Sequence, residues 1–507
     1  MEVTDVTTFL VHSGVRKNLC FVKVDTDEGI HGWGECYTQS DRDIQVSSHV
    51  DAISRYLIGR DPANIKNFIQ IAFDDFAARR GAMDFYSAIS GIEQALWDIK
   101  GKKLGVPIYD LLGGACRTKV RVYANGWFEG AETPEKIAEA ATKVVDRGFT
   151  ALKFDPVPGP WRTYVTKEVE KLTVESVRAV REAVGCDVDI LLDMHRRLAP
   201  IHAKKIARSI EKYDPFWYEE PVLAENVRAL ASIRENVNIP IVTGEELYTK
   251  FEFREIFEKQ VVDIINPDVC NVGGILEMKE IAAMAEPYFV SVSPHNFNST
   301  TVGLAATLQV SAMVPNFLIA EYFLNLEEFG KDIALEPFEV EDGYINIPEN
   351  PGLGIELDED AEIEFTLSAQ DPEGDTLSYS IASYPTYGLL LSDEGSVYVY
   401  SPDSDYYGID SFIFNVSDGE NQIETTAEIL VLSVNDAPEF ISNSIPDALE
   451  NDEYIIEIEV SDIDNDLQEL ELSIVTAPNW LELDGSTLSG IPGSNDAGTY
   501  DVTLELT

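Results

Sequence analysis

Between residues 119 and 335 one pattern recurs eight times: a short apolar run, then a stretch with helical periodicity. The runs are Val120–Tyr123, Thr150–Phe154, Val188–Leu192, Phe216–Tyr218, Ile239–Thr243, Val262–Asn266, Phe289–Ser293 and Phe317–Ala320. Strands separated by helices lie parallel, because each helix returns the chain to the starting edge before the next strand begins. Eight such units close into an α/β barrel, and the loops at the C-terminal ends of its strands form a common mouth.

Six of the runs lead into an acid or a histidine: Asp193, Glu219, Glu245, Asp268, His295 and Glu321, at steps of 26, 26, 23, 27 and 26 residues. That step is the length of one strand-helix unit, so the six recur at one level of the barrel, its mouth. A single carboxylate after a strand is ordinarily a helix cap. Six at one level repel one another unless a metal or a substrate compensates. Asp193, Glu219 and Glu245 offer hard oxygen ligands that suit Mg²⁺, and no His or Cys completes the tetrahedral set that zinc prefers. Such a metal can hold a substrate carboxylate and stabilise the enediolate left when an α-proton departs. His295 is the candidate base, with Asp268 placed to orient its imidazole.

Around the barrel the grammar differs. Residues 1–55 read as strands, with Cys20–Val24 turned by Asp27-Glu28-Gly29 into Ile30–Glu35 as a hairpin. Helical periodicity runs from about Gln45 to Leu104 and stops at Leu112-Gly113-Gly114. We take residues 1–118 as an α+β capping domain, completed by about 336–357, and residues 119–335 as the barrel. After Pro351-Gly352-Leu353-Gly354 come period-2 strands and turn clusters such as Asp371-Pro372-Glu373-Gly374-Asp375, the pattern of all-β sandwiches. Two modules are visible, 361–435 and 436–507, the second ending at Val502–Thr507 as if truncated in mid-strand.

Charge divides the chain at the same place. Residues 358–507 hold 35 Asp and Glu and no Lys, Arg or His; residues 1–357 hold 55 acids against 37 Lys and Arg. The net charge of −53 thus splits into −18 and −35. A segment with no cation of its own needs bound cations, salt or solvation, and it would be repelled by nucleic acid and by anionic membrane surfaces. Cys20, Cys36, Cys116, Cys186 and Cys270 are odd in number and widely spaced, which argues against a disulfide framework or a zinc site and for inert thiols in a reducing compartment. Met1–Val11 lacks the basic start of a signal peptide, and no apolar run reaches the ~18 residues of a membrane helix. The first part is therefore expected in the cytoplasm.

The motifs Val188-Asp-Ile-Leu-Leu-Asp193, Phe216-Trp-Tyr-Glu219-Glu220-Pro221, Gly244-Glu245, Asn266-Pro-Asp268 and Ser293-Pro-His295-Asn296 resemble the enolase superfamily, in its mandelate racemase and muconate lactonizing subgroup. Gly32-Trp-Gly-Glu35, Ala95-Leu-Trp-Asp98 and Pro351-Gly-Leu-Gly354 fit the same family, so the resemblance covers about residues 1–358. It implies a modified TIM barrel of (β/α)7β kind under an N-terminal capping domain. It implies Mg²⁺ on Asp193, Glu219 and Glu245, a general base His295 paired with Asp268, and Glu321 hydrogen-bonded to a substrate carboxylate or enediolate oxygen. Racemases of the subgroup carry Lys-x-Lys on the second strand; here it is Lys153-Phe154-Asp155, so two-base racemisation is not expected.

Asp193-Met194-His195 resembles the acid-sugar dehydratases, in which such a histidine protonates the departing β-hydroxyl; otherwise His195 is a spectator bound to solvent or Glu220. Tyr123-Ala-Asn-Gly-Trp127 and Ala151–Pro156 are similar to gluconate and galactonate dehydratases in particular. That similarity places Lys153 near the metal and the substrate carboxylate, Asn125 and Asp155 among the substrate contacts, and Arg16 and the loop Thr38–Arg42 at selecting positions. Arg196 and Arg197 read either as contacts to the substrate's far end or as surface or loop-anchoring pairs. The reaction implied is removal of the C2 proton by His295 and loss of the C3 hydroxyl, protonated by His195, to give a 2-keto-3-deoxy acid. Substrates of R configuration at C2, a small-molecule sugar acid as partner, and a homo-oligomer follow from the same resemblance; a cycloisomerase or epimerase is the alternative.

The acidic part resembles bacterial cadherin-like modules, a tandem-repeat type at 361–435 and a dystroglycan type at 436–507. There Asp371, Asp375, Asp410, Asp418 and Asp436 read either as Ca²⁺ ligands or as solvated acids of a salt-adapted surface. Such modules belong to surface proteins, which makes a calcium-binding adhesion protein the alternative of another class. No linker separates the two parts at Leu357-Asp-Glu-Asp-Ala361, a junction that reads as a fusion of two reading frames.

Overall fold

The computed structural model describes all residues except 13–16, 40–41, 78–81, 159–163, 298, 300, 335, 356–362, 368–376, 395–396, 404–405, 407, 420, 432–438, 442–444, 462–471 and 507. Arg16, Asp371, Asp375 and Asp436 lie outside the described residues. The chain divides into two compact units, residues 1–402 with 409–430, and residues 403–408 with 431–507. Among the described residues no helix is long and apolar enough to cross a membrane.

The N-terminal part is an antiparallel sheet of β1 (Val3–His12), β2 (Asn18–Thr26) and β3 (Gly32–Cys36), followed by α1 (Asp43–Ser54), α2 (Ile65–Ile71), α3 (Met83–Leu104) and α4 (Ile108–Leu112). Helix α3 is buried on nearly every side, and polar residues such as Glu93, Gln94 and Asp98 are buried with its apolar ones. Its contact with β3 is backbone to backbone: a Cβ on Gly34 would lie 1.9 Å from the Gly91 carbonyl oxygen, so Gly32-Trp-Gly34 is a packing requirement.

The barrel follows as β4 (Lys119–Asn125), α5 (Pro134–Asp146), β5 (Ala151–Phe154), α6 (Lys167–Val184), β6 (Asp189–Asp193), α7 (Pro200–Ile210), β7 (Trp217–Glu219) and α8 (Val227–Arg234). It continues as β8 (Ile241–Thr243), α9 (Thr249–Glu258), β9 (Ile264–Ile265), α10 (Ile275–Ala285), β10 (Ser291–Val292), α11 (Val302–Met313) and β11 (Ala320–Phe323). This is the expected (β/α)7β order. Neighbouring strands are parallel from β10 back to β4, and β4 pairs in parallel with β11. The last seam closes where Leu318 N–H donates to the Val292 carbonyl at 2.8 Å. After α12 (Glu327–Ile333), β12 (Tyr344–Asn346) pairs antiparallel with β4. The run expected over Phe289–Ser293 shortens, because Phe289 is left-handed (φ 59°) and 96% exposed, closing a 3₁₀ turn before β10. The last run shifts from Phe317–Ala320 to Ala320–Phe323.

Two buried carboxylates tie the cap to the barrel, and a third closes the cap on itself. Glu93 of α3 accepts from the first N–H groups of α10, Ile275 at 2.6 Å and Leu276 at 3.0 Å, and from the Trp97 indole at 2.8 Å. Glu35 of β3 accepts from Gly303 N–H of α11 at 2.8 Å and from the Ser299 hydroxyl at 2.7 Å. Both use the unpaired donors at a helix start. Asp98 accepts from Trp33 N–H at 3.0 Å and Leu353 N–H at 2.7 Å, which fastens the Pro351–Gly354 return to the cap.

The acidic part is all-β. Strands β13 (Ile363–Thr366), β14 (Ser378–Ser383), β15 (Gly388–Glu394), β16 (Val397–Pro402), β17 (Gly408–Ser417) and β18 (Gln422–Val431) form two sheets, β13-β16-β15 and β14-β17-β18. Strands β19 (Glu439–Phe440), β20 (Tyr454–Glu457), β21 (Val460–Ser461), β22 (Leu472–Thr476), β23 (Leu481–Asp484), β24 (Thr487–Gly490) and β25 (Thr503–Leu506) enclose a core of Tyr454, Ile458, Leu481 and Leu488. Asp410 is engaged within the sandwich: it accepts from Thr386, Tyr387 and Ser411 N–H, each at 2.8 Å, and from the Tyr400 hydroxyl at 3.0 Å. Asp418 closes the turn between β17 and β18 by accepting from Asn421 N–H at 2.6 Å. Neither belongs to a described group of three or more acids, His or Cys that could hold a cation.

Burial pushes the carboxyls of Glu93 and Glu35 from 4.5 up to about 7, against the hydrogen bonds that favour their charged forms. A raised carboxyl binds its proton more tightly in the folded chain, so its contribution is full below about pH 4.5 and is lost as pH rises through 7. The unfolding midpoint of the enzyme part should therefore fall between pH 5 and about 8, and Glu93→Gln should flatten that slope in urea titrations run across the range. An unchanged slope would show that Glu93 does not titrate there.

Candidate active site

The site is the second inward-facing layer of the barrel. The layer beneath it is apolar, formed by Tyr123, Ala151, Leu191, Trp217, Val242, Ile264 and Ile319. Side chains alternate along a strand, so the residue two further on points into the same interior, nearer the mouth. From those positions come Asn125, Lys153, Asp193, Glu219, Asn266 and Glu321. Strand β8 alone breaks the count: Gly244, at φ 144°, adds a residue, and Glu245 is the one that reaches the mouth. A Cβ on Gly244 would press on the Phe253 ring at 3.0 Å.

Asp193, Glu219 and Glu245 converge, each offering an oxygen within 4.8 Å of the others, and all three are buried. Lys153 stands against them: its Nζ lies 3.1 Å from Glu219, 2.9 Å from Glu321 and 3.9 Å from Asp193. Asn266 donates to Glu219 at 2.8 Å. Glu219 Oε2 and Glu245 Oε2 are buried and accept no hydrogen bond. Two orphaned carboxylate oxygens beside a third carboxylate fit a hard divalent cation.

Burial raises Glu219 well above the carboxylate range, with Lys153 opposing it and Asp193, Glu245 and Glu321 adding to it. Burial acts the same way on Glu245, but Arg196 and His295 outweigh it and hold that carboxyl well below its usual range. Asp193 is raised, chiefly by burial.

His295, at the start of the loop after β10, has its Nδ1 2.7 Å from Asp268, whose other oxygen accepts from Cys270 N–H at 2.8 Å. Its Nε2 faces the acids, 3.4 Å from Glu245 and 3.7 Å from Glu321. Burial would strip its proton, but Glu321, Glu245 and Asp268 prevail and push its pKa up to about 9. His195 is set 2.8 Å from Asp155 and 3.4 Å from Asp193 through Nδ1, not on Glu220. Burial opposes its charge too, and Asp193 and Asp155 overcome it, so its pKa also rises to about 9.

Several expected substrate contacts turn out to hold the site together. Asn125 donates to Glu321 at 2.7 Å and its own oxygen accepts from Gly126 N–H at 2.7 Å, so both ends of its amide are used. Asp155 pairs with His195 and, at 2.9 Å, with Arg197, whose guanidinium also donates to Val157 O at 2.7 Å; Arg197 anchors the loop. Arg196 binds Glu245 and lies 3.1 Å from Glu246. Glu321 accepts from Lys153, Asn125 and, at 2.8 Å, Asn296 N–H. Burial is outweighed there by Lys153 and His295, and its pKa is lowered.

Sequence reasoning looked to the cap for Arg16 and the loop Thr38–Arg42 and missed Lys17 and Tyr37. Tyr37 and Phe297 flank His295, with ring centroids 6.1 and 6.0 Å from it. Lys17 lies over both rings, 4.8 and 5.2 Å from their centroids, and donates to Thr38 O. Burial lowers its pKa to about 8 despite Glu35 and Asp268 nearby. No periodicity marks Lys17 or Tyr37; Asn266, by contrast, could have been found by counting two residues on from the inward Ile264.

Two sequence families match in tandem: the mandelate racemase/muconate lactonizing enzyme N-terminal domain over residues 4–113 and the enolase C-terminal domain-like family over residues 136–361. A bacterial Ig domain family matches residues 349–431. The chain is 36% identical to the D-galactonate dehydratase of Variovorax paradoxus over 377 residues, 73% of this chain and 96% of that one. It is 38% identical to the D-gluconate dehydratase of Thermoproteus tenax (67% and 68% covered) and 37% identical to the D-xylonate dehydratase of Haloferax volcanii (74% and 90%). Among solved structures, an enolase superfamily member from Salmonella Typhimurium superposes with a TM-score of 0.67 at 33% identity, covering 71% of this chain and 96% of that one. The chain belongs to the enolase superfamily, in its mandelate racemase and muconate lactonizing branch. Its enzyme part is a dehydratase, a hydro-lyase, and the β part carries an Ig-like sandwich.

Removing one member of a buried ion pair leaves the others uncompensated at a cost of about 3–5 kcal/mol. Lys153→Met, which keeps the aliphatic stem, should therefore lower unfolding stability by roughly that amount in urea at pH 7. An unchanged midpoint would mean that Glu219 and Glu321 do not depend on it.

Proposed function

We propose that this chain is a Mg²⁺-dependent dehydratase that converts an aldonate of the gluconate or galactonate type to its 2-keto-3-deoxy acid. The observation that carries the reading is the pair of carboxylate-backed histidines, His295 on Asp268 and His195 on Asp155 and Asp193, both bordering one three-carboxylate cluster. The aldonate dehydratases among the relatives support the substrate class.

Asp193, Glu219 and Glu245 would hold the cation. Bound there, it supplies positive charge against the substrate carboxylate and against the acids that keep the proton on His295. His295 then takes the C2 proton at Nε2, the nitrogen that Asp268 leaves facing the site. His195, which its two acids keep protonated at neutral pH, gives a proton to the C3 hydroxyl as it leaves as water. The enol so formed tautomerises to the keto acid. Lys153, between Glu219 and Glu321, would set its charge against the substrate carboxylate.

The test is a panel of aldonic and aldaric acids with Mg²⁺, reading 2-keto acid as its semicarbazone. Product is expected from one or two aldonates of R configuration at C2, and none with EDTA or in His295→Asn. No keto acid from any member of the panel would overturn the dehydratase assignment for these substrates.

A further inference from the structure

Arg196 has no part in the chemistry above, yet the backbone is bent to place it. Arg196 and His195 are both left-handed, at φ 61° and 46°, a region that non-glycine residues occupy only when the surroundings hold them there. The bend is fixed where Arg196 N–H donates to Glu220 O at 2.7 Å, and Glu220 is itself left-handed at φ 40°. This turn sends consecutive side chains to different carboxylates: His195 to Asp155 and Asp193, Arg196 to Glu245 and Glu246.

Both members of the Arg196–Glu245 pair are largely buried, 18% and 7% exposed. Arg196 Nη1 binds Glu245 Oε1 while its Nε lies 3.1 Å from Glu246. A guanidinium is a planar fork, so two anchors fix its plane and with it the rotation of the carboxylate it holds. Glu245 Oε2 is then left accepting no hydrogen bond, with His295 Nε2 3.4 Å away, in a residue that belongs to the three-carboxylate set.

We propose that Arg196 is a positioning residue for the metal ligand Glu245: by holding Oε1 it presents Oε2 to the divalent cation. The inference rests on the cation site named under the proposed function. Simple charge repulsion between the guanidinium and the cation predicts the opposite sign, so the direction of the effect decides.

The experiment is calorimetric titration of Mn²⁺ into the EDTA-stripped full-length chain, wild type against Arg196→Gln and Arg196→Lys, with circular dichroism as the check on folding. Loss of a group that orients a metal ligand typically weakens binding about 10- to 100-fold, which is the result expected for Arg196→Gln. Arg196→Lys keeps the charge and loses the fork, so it should bind several-fold more weakly than wild type and more tightly than Arg196→Gln; if the Gln variant does not fold, a Lys variant equal to wild type overturns the proposal. Unchanged or tighter binding by Arg196→Gln overturns it as well, while leaving the cation site in place. A wild-type chain that binds no Mn²⁺ removes the cation site and this inference together.

Discussion

The structure depends on one electrostatic arrangement: Asp193, Glu219, Glu245 and Glu321 are buried in one barrel mouth, with the Lys153 ammonium among them. Isolated, any of these carboxylates would give up its charge on burial. Together with Lys153, Arg196 and the two histidines they form a set in which some charges are answered and others are not. Glu321 is fully answered, by three donors. Glu219 and Glu245 each keep one oxygen with no donor. That residue of negative charge, more than any single side chain, is what would draw a divalent cation to the mouth.

The rest of the enzyme part holds that arrangement in place. The apolar layer beneath excludes water from below, and strand alternation lifts the polar layer one step toward the mouth. From above, the cap sets Tyr37 beside His295 and Lys17 over Tyr37. Glu35 and Glu93 seat the cap on the starts of α11 and α10, so the element that covers His295 is fastened by buried carboxylates on helix N-termini. In the Ig-like part, Asp410 serves its own sandwich.

Much of this was legible in the sequence because it follows from periodicity. Steps of about 26 residues fix strand-helix units, and the residue at the end of each strand has to lie at the mouth, so Asp193, Glu219, Glu245, Asp268, His295 and Glu321 were found without coordinates. The roles of Asn125, Asp155, Arg196 and Arg197 were not legible, because they depend on which neighbour each long or polar side chain meets across two loops. Asp155 reads as a substrate contact until Arg197 and His195 are seen on it. Lys17 and Tyr37 come from a hairpin about 250 residues from His295 in the chain, and no local pattern announces a contact of that range.

The central claim is a division of labour, with His295 as base at C2 and His195 as acid at the C3 hydroxyl. The most direct measurement follows the C2 proton of an aldonate by NMR in deuterated buffer with Mg²⁺, in His195→Asn and in His295→Asn. The account predicts that His195→Asn exchanges the C2 proton for deuterium while forming little keto acid, and that His295→Asn does neither. A His195→Asn enzyme that dehydrates at the wild-type rate, or a His295→Asn enzyme that still exchanges, would contradict it.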